Sequence, residues 1–497
     1  MKNELFPYYL KVYTSGQNVI HMYIICGILK ANTKREGELI MTDKLPKDFF
    51  WGNSTSSMQT EGAWNVDGKG LSVYDLKPAT KETSDWHDGI DAYHNYEQDI
   101  NLMANQGMNF YRFQISWSRV DPNGDGNFNE AGIAFYDRLI NALLKRNIKP
   151  MICLYHFDMP LALAKKYNGF LSRPVVSAFV RYGIEMVKRF GDRVKYWVTF
   201  NEQNLYHTSE VFNISGYLTG DKTVNEMYQI SHHVMLAHAG VANYIHEQTD
   251  CLVGGMLAYS EVYPATANPK DILYARQIDE FLNRNLLDAF VYGRYSNEVM
   301  NYVRNHKIEM DYQLNDDETL IKVTSDFIAF SYYRSDTVDS TEVPAGTVPN
   351  QYLDFGLKRN PYLQTSEFGW QIDPLGFRDV LTKVYNQYCV PMFPIENGIG
   401  FREEYTGKEI QDDYRIDYMR NHIQAMKEAI LEDGVEVLGY LGWGLIDIPS
   451  SSGNMDKRYG TVYVNRTNHD LKDLKRIPKK SYWWLQRVIK SNGESLE

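Results

Sequence analysis

The chain has 497 residues, of which 43% are hydrophobic, 23% charged and 14% aromatic, the composition of a folded globular protein. Its net charge of -11, with no block of basic residues interleaved with aromatics, argues against a nucleic-acid surface. The apolar run over residues 19–29 is too short to cross a bilayer, so no membrane partner is predicted from it.

Residues 1–44 are predicted to be an N-terminal extension outside the folded domain. One explanation is a disordered segment. The other is an upstream-start artefact with Met41 as the true start, because residues 34–38 can be encoded by a purine-rich ribosome-binding site. A secretory signal is not expected, because the first residues mix Lys2, Glu4 and Lys11 and no small-residue cleavage site follows.

The cysteines of the chain are widely spaced, and none forms a pair with metal-binding spacing. They are Cys26, Cys153, Cys251 and Cys389. Such cysteines are typical of reduced, buried thiols in a cytoplasmic protein. We therefore expect neither a metal nor an organic cofactor held by them.

From Phe49 onward, short apolar segments rich in β-branched and aromatic residues alternate with helical stretches. The eight predicted strands are residues 49–53, 109–116, 149–156, 196–201, 252–258, 327–332, 391–396 and 436–443. Eight strands that alternate with helices predict an α/β fold, a single (β/α)8 TIM barrel with long active-site loops over residues 45–497.

Helices between these strands show apolar residues three and four positions apart. The clearest are predicted over residues 92–104, 133–144 and 175–190. They stop at Gly107, near Asn147 and at Gly191, residue types that favour helix ends. The longest connections follow strands and cover residues 204–225, 333–374 and 450–478. In such barrels these loops build the active site.

Two glutamates, Glu202 and Glu396, end the fourth and seventh predicted strands. Burial disfavours a charged carboxylate, so each needs a partner or a function there. Alone, each is equally typical of a helix N-cap or an ion pair. Two carboxylates that converge across a barrel suit glycoside hydrolysis, with retention at a separation of roughly 5 to 5.5 Å and inversion at roughly 6.5 to 9.5 Å.

The segments TFNE, ending at Glu202, and IENG, around Glu396, resemble the catalytic motifs of family 1 glycoside hydrolases. The resemblance extends from about Leu45 to the C terminus. It implies that Glu202 is the general acid/base and Glu396 the nucleophile of a retaining β-glycosidase without a cofactor. It also implies that Arg112 and Tyr333 keep the nucleophile ionised, since a cation and a hydroxyl donor favour the carboxylate.

Other positions match the sugar-binding residues of that family. They are Gln59, His156, Asn201 and Trp443, with Trp370 resembling the aglycone platform. Taken singly, His156 is more typical of a satisfied core histidine and Trp443 of core packing, and Trp370 is nearly as typical of core packing as of a platform. The chain also departs from the family pattern at Gln203, Phe157 and Ser331, which stand where Pro, Trp and Asn are usual.

A phosphate site is indicated by the segment after Trp443. The family pattern leads there to a glutamate that binds the sugar's 4- and 6-hydroxyls, whereas this chain has Ser450, followed by Lys457 and Tyr459. Two hydroxyls and an ammonium can bind a phosphate, and their spacing resembles 6-phospho-β-glycosidases. The alternative is a Ser/Gly turn followed by surface charges, with Arg458 paired to a structural carboxylate.

The resemblance therefore implies a bacterial, cytoplasmic 6-phospho-β-glucosidase that hydrolyses substrates such as cellobiose 6-phosphate or phosphorylated aryl glucosides to glucose 6-phosphate. Ser451 favours glucosides, because the galactoside branch carries Trp there. The alternatives are a β-glucosidase for neutral sugars, a 6-phospho-β-galactosidase and a non-catalytic sugar-phosphate sensor. The expected partner is a small molecule, and the sequence leaves a homo-oligomer open.

Overall fold

The computed structural model describes residues 44–497, and within them eight parallel strands form a barrel. The barrel strands are β1 (Phe50–Ser54), β2 (Phe110–Gln114), β3 (Lys149–Tyr155), β4 (Tyr196–Phe200), β5 (Leu252–Ala258), β6 (Phe327–Tyr332), β7 (Met392–Asn397) and β8 (Gly439–Trp443). Strands β1 to β7 pair successively in chain order, and β8 pairs with β1. The ring closes where Met392 of β7 bridges Val437 beside β8. The predicted barrel is confirmed.

The barrel interior is a packed apolar core. Successive side chains of a strand point to opposite faces, so every second residue faces inward. The cluster inside the ring comprises Phe50, Phe110, Met151, Cys153, Val198, Met256, Phe327, Ala329, Phe393, Ile395 and Leu441. Because side chains fill the barrel interior, an active site can form only at the strand ends and in the loops that follow them.

Eight main helices cover the outside of the barrel. They are α1 (Ala92–Gln106), α2 (Glu130–Lys145), α3 (Arg173–Phe190), α4 (Val224–Gln248), α5 (Asn285–Tyr292), α6 (Pro374–Tyr388), α7 (Asp413–Leu431) and α8 (Lys480–Lys490). The predicted ends are confirmed at Gly107, which caps α1 with φ 92°, and at Gly191, which caps α3. Thr223 and Glu226 form a capping box at the start of α4, satisfying backbone N–H groups there.

Shorter elements lie in the connections. The short α-helices are Ser57–Thr60, Trp117–Val120, Leu161–Tyr167, Val211–Ile214, Pro269–Ile278, Asn297–Asn305, Leu314–Leu320 and Tyr352–Gly356. The 3-10 helices are Tyr74–Leu76, Gly169–Leu171, Gln203–His207 and Pro349–Gln351, and Asp279–Arg284 is a π-helix. The short strand pairs are Val262–Pro264 with Asp336–Val338, Gln364–Thr365 with Gln371–Ile372, and Val462–Val464 with Arg476–Pro478.

The predictions for the N-terminal extension lie outside the described residues, apart from Lys44, and remain predictions. In the part of the chain that the structure describes, no helix has the length and apolar character needed to cross a membrane. Cys153 and Cys251 are buried free thiols, as predicted. Cys389 is exposed at the end of α6 and disulfide-bonded, so the prediction of a buried reduced thiol is wrong there. Cys26 is outside the described residues.

Candidate active site

The carboxyl ends of the barrel strands surround a cavity of about 400 Å³, a size suited to a small ligand. Glu202 and Glu396 both line it, so the two glutamates meet in one cavity as predicted. The other predicted site residues on its wall are Gln59, His156, Tyr333, Trp370, Trp443 and Tyr459. Residues distant in the sequence therefore converge here because parallel strands all end at one rim of the barrel.

Glu396 is held by two donors from other strands. One of its carboxylate oxygens accepts a hydrogen bond from Arg112 Nη1 at 2.7 Å, and the other accepts one from Tyr333 Oη at 2.9 Å. Arg112 is fully buried in β2, and Glu396 is 2% exposed. The pairing of β7 with β6 shifts register between Pro394 and Glu396, an irregularity of the kind that re-aims a side chain.

Glu202 is placed by an unusual backbone conformation. It lies two residues beyond the end of β4, with φ 44°, in the left-handed region that non-glycine residues seldom adopt, and it caps the start of the 3-10 helix Gln203–His207. Such strain is kept where the surrounding structure over-determines it, often at a functional site. The carboxylate accepts a hydrogen bond from the Ser331 hydroxyl, and Ser331 lies opposite Glu396 in the β6–β7 register.

Arg112 links the two glutamate-bearing strand ends. Besides Glu396, its guanidinium binds Asn201, whose Oδ1 accepts a hydrogen bond from Arg112 Nη2 at 2.6 Å. Asn201 is 1% exposed, and its Nδ2 has no hydrogen-bond partner among residues 44–497. Asn201 is not among the residues that line the cavity, so its predicted contact with the sugar stays a prediction.

The electrostatics of the pair are dominated by burial. Burial raises the pKa of Glu202, while the Ser331 hydroxyl lowers it. Burial also raises the pKa of Glu396 above its usual range, against the lowering effects of Arg112 and Tyr333. Arg112 and Tyr333 thus act in the expected direction, but burial outweighs them. Two such carboxyls in one site lose their protons as a coupled pair.

One part of the cavity wall is built from Gln59, His156 and Trp443. Gln59 Nε2 donates to the carbonyl of Pro449 at 2.7 Å, which joins this wall to the loop after β8. The ring of His156 lies 5.6 Å from that of Trp443. Burial lowers the pKa of His156 well below its usual value, so its imidazole is neutral. Its Nδ1 is buried and has no hydrogen-bond partner within residues 44–497.

The three predicted phosphate ligands differ in their positions relative to the cavity. Tyr459 lines the cavity, whereas the loop's serine on the cavity wall is Ser451 and not the predicted Ser450. The Ser450 hydroxyl is 3.0 Å from that of Ser452 and accepts a hydrogen bond from the Asn454 backbone at 3.2 Å. The ammonium of Lys457 lies 3.4 Å from the centroid of Trp370. The structure thus brings Lys457 beside the cavity wall and keeps the Ser450 hydroxyl within its own turn.

The comparison with known proteins decides the family. The family model described as glycosyl hydrolase family 1 matches residues 41–494. The chain belongs to this family. The chain of a family 1 β-glucosidase from Thermotoga maritima superimposes with a TM-score of 0.81 at 30% identity, over 91% of this chain and 99% of that one. This glycoside hydrolase therefore shares the fold of its family over nearly its whole length.

Curated relatives carry more specific names. Aryl-phospho-beta-D-glucosidase BglC of Bacillus subtilis is 40% identical over 91% of this chain and 99% of its own. Phospho-cellobiase of Klebsiella oxytoca is 38% identical over 91% and 99% of the two chains. Beta-glucosidase A of Acetivibrio thermocellus is 34% identical over 90% and 98%.

Two polar residues of this family 1 hydrolase were given no role by the sequence. Ser331 was noted only as a departure from the pattern, yet its hydroxyl binds Glu202. Arg334 lines the cavity, with its Nε 3.1 Å from Asp336 Oδ1 and its guanidinium 5.5 Å from the Trp370 centroid. A cation directly after Tyr333 at the end of β6 was a usable signal. No group of acidic, histidine and cysteine side chains suited to a metal occurs in residues 44–497.

A buried charge network holds the loop that carries Lys457 and Tyr459. Asp447, fully buried, accepts hydrogen bonds from Lys479 Nζ at 2.8 Å, Arg458 Nη1 at 3.2 Å and the Gly460 backbone at 2.9 Å. Lys479 also donates to the Gly460 carbonyl at 2.7 Å and to Glu403. The predicted pairing of Arg458 with a structural carboxylate is therefore confirmed, and the loop is anchored below the site.

Replacing Lys479 with Met is expected to lower the free energy of unfolding by about 3 kcal/mol or more, because buried Asp447 and Glu403 each lose an ion-pair partner. Denaturant unfolding measures this change. The adjacent Lys480 is the matched control: its pair with Asp413 is 42% and 62% exposed, so Lys480→Met should cost less than about 1 kcal/mol. Equal costs for the two variants would contradict a stabilising role for the network.

Proposed function

We propose that this glycoside hydrolase is a retaining 6-phospho-β-glucosidase that releases glucose 6-phosphate from phosphorylated aryl glucosides or cellobiose 6-phosphate. The names of two relatives, an aryl-phospho-beta-D-glucosidase and a phospho-cellobiase, support this substrate class. The observation that carries the proposal is the half-buried Lys457 ammonium beside the wall of the cavity that holds both glutamates.

The two glutamates have different roles in the proposed reaction. We assign Glu396 as the nucleophile, because it is the carboxyl whose charged form both Arg112 and Tyr333 favour through direct hydrogen bonds. Glu202 has a hydroxyl donor and no direct cation contact within residues 44–497, so it holds the proton. Its left-handed backbone fixes that carboxyl against the same cavity.

The reaction proceeds in two displacements. In the first, a Glu396 oxygen bonds to the anomeric carbon while the glycosidic C–O bond breaks and Glu202 gives its proton to the leaving oxygen. In the second, Glu202 takes a proton from water, whose oxygen bonds to the anomeric carbon and releases Glu396. The configuration at the anomeric carbon is retained after two inversions.

Phosphate recognition depends on the loop after β8. Lys457 supplies the cation, and Tyr459 supplies a hydroxyl on the cavity wall. Among residues 44–497, no carboxylate forms an ion pair with Lys457, whereas Lys479 and Arg458 in the same region are both paired. An unpaired, half-buried ammonium is suited to a charge-assisted bond with an anion. The serine at position 450 leaves this region without the carboxylate that would repel a phosphate.

Ser451 on the cavity wall supports the glucoside rather than the galactoside branch. Because a sugar phosphate is charged and does not cross a lipid bilayer unaided, we place the proposed reaction in the cytoplasm of a bacterium. Oligomeric state stays a prediction.

The proposed substrate class is tested with 4-nitrophenyl β-glucoside and its 6-phosphate. The protein is expected to have a kcat/KM for the phosphorylated compound at least about 100-fold above that for the neutral one. Lys457→Ala should lower the phosphorylated value by about 10- to 100-fold, the effect of losing one charge-assisted hydrogen bond. The kcat/KM for the neutral compound should fall by a smaller factor.

Lys475→Ala is the matched control, because Lys475 is exposed in the connection that leads from the same loop to α8. It should leave both values near those of the parent protein. A preference of the parent for the neutral glucoside would overturn the phosphorylated substrate in favour of an ordinary β-glucosidase.

A further inference from the structure

The ammonium of Lys457 is surrounded by aromatic rings. It lies 3.4 Å from the centroid of Trp370, 5.2 Å from that of Phe368 and 5.5 Å from that of Tyr459. The ring face of a tryptophan is the best aromatic partner of a cation, and the contact strengthens when water is excluded. Trp370, the nearest of the three rings, therefore contributes most to positioning the Lys457 ammonium.

The rest of the Lys457 side chain is confined by the segment after β7. A Cβ on Gly400 would come within 2.6 Å of Lys457 Cγ and 2.8 Å of its Cε, so only glycine leaves room for this stem. The neighbouring backbone is fixed as well, because Phe401 and Arg458 exchange two backbone hydrogen bonds of 2.9 and 3.0 Å. With the backbone and stem held in this way, the terminal ammonium is the part that the rings position.

Trp370 is itself held firmly. It stands at the end of a tight turn between Gln364–Thr365 and Gln371–Ile372. Within the turn, Ser366 N donates to the Trp370 carbonyl at 2.8 Å, and Trp370 N donates to the Ser366 hydroxyl at 3.2 Å. The Trp370 ring also lines the cavity, 5.5 Å from Tyr333. One ring thus contacts both the substrate cavity and the ammonium.

A second cation, Arg334, disfavours the charge on Lys457 and so increases the importance of its contact with Trp370. Arg334 lies 5.5 Å from the same Trp370 ring. Burial, together with the nearby charge of Arg334, lowers the pKa of Lys457 to about 8. The charged form of Lys457 is therefore disfavoured by its surroundings, apart from the π-systems that face it. Asp336 is paired with Arg334 and so offsets part of that second charge.

We infer that Trp370 is a positioning residue for Lys457, so that it contributes to phosphate binding as well as to the wall of the aglycone side. This inference rests on the proposed function. It differs from a simple aglycone platform in one measurable respect. A ligand that has the phosphate and lacks an aglycone should still depend on Trp370.

The experiment measures the binding of glucose 6-phosphate and of glucose to the full chain by calorimetry, so that no turnover is needed. Trp370→Leu removes the ring and is expected to weaken glucose 6-phosphate about 3- to 30-fold, the range of a cation–π contact. Glucose binding should change less than about twofold. In a Lys457→Met background, Trp370→Leu should have no further effect on glucose 6-phosphate, because the charge it positions is gone.

Trp370→Phe provides a second variant if the leucine variant does not fold. Phenylalanine keeps a ring with a weaker quadrupole face, so glucose 6-phosphate should bind about two- to fivefold more weakly than in the parent. Unchanged glucose 6-phosphate binding in a folded variant, together with a raised KM for an aryl substrate, would show that Trp370 serves the aglycone alone and would overturn the inference. Additive losses in the Lys457→Met background would overturn it too.

The two proposals fail differently in this experiment. A parent protein that binds glucose 6-phosphate no better than glucose would overturn the phosphorylated substrate class, and the inference with it. A parent that prefers the phosphate but does not depend on Trp370 overturns the inference and leaves the proposed function standing.

Discussion

Glu396→Gln is expected to lower kcat for 4-nitrophenyl β-glucoside 6-phosphate by about 10⁴-fold or more, because an amide does not form the covalent glycosyl intermediate. Glutamine keeps the size of the side chain and an acceptor for Tyr333, which donates to Glu396 at 2.9 Å in the parent protein. Arg112 loses the anion that it contacts at 2.7 Å, so some loss of stability is also expected.

Steady-state kinetics and thermal unfolding together separate these two effects. The matched control is Glu432→Gln, the same chemical change at an exposed glutamate that pairs with Arg378 and does not line the cavity. It should retain the parental kcat. A folded Glu396→Gln protein that keeps more than about one hundredth of the parental kcat would show that another group is the nucleophile. Absence of turnover by the parent protein itself would favour the non-catalytic sensor.

Glu202→Gln is expected to slow the hydrolysis of cellobiose 6-phosphate by about 10³- to 10⁴-fold, because a sugar leaving group needs the proton that Glu202 supplies. Nitrophenolate leaves without that proton, so bond cleavage in the nitrophenyl substrate should be much less affected. Deglycosylation still needs a base, and the variant should therefore release a burst of nitrophenolate followed by a slow steady state.

The pH dependence of this variant gives a second measurement of the same role. Burial raises the pKa of Glu202, so in the parent protein the acid stays protonated to a higher pH than an exposed glutamate. Activity should then fall on the alkaline side as Glu202 loses its proton. The fall should be absent from the kcat/KM profile of the variant with the nitrophenyl substrate. Equal rate losses for both leaving groups would argue against Glu202 as the acid.

Much of the architecture follows from local sequence patterns. The eight strand segments and three helix stops were predicted from apolar periodicity and from glycines, because secondary structure is specified by residues close together in the chain. The motif residues that follow β4 and lie in β7 were placed at one rim because parallel strands of a barrel all end on the same side. Cys389 shows the limit of such reasoning: its neighbours are apolar, yet it lies exposed at the end of α6.

The sequence alone determined which side chains stand at the strand ends, and hence the acid, amide and aromatic groups available to the cavity. Tertiary structure decided the geometry of their contacts, including those that the family resemblance had implied for Arg112 and Tyr333. Arg112 meets Glu396 across 284 positions, Ser331 meets Glu202 across 129, and the Lys457 ammonium settles on Trp370 rather than in the serine turn. Such contacts depend on barrel closure, on the register shift in β7 and on side-chain direction, and none of these is specified by residues near in the chain.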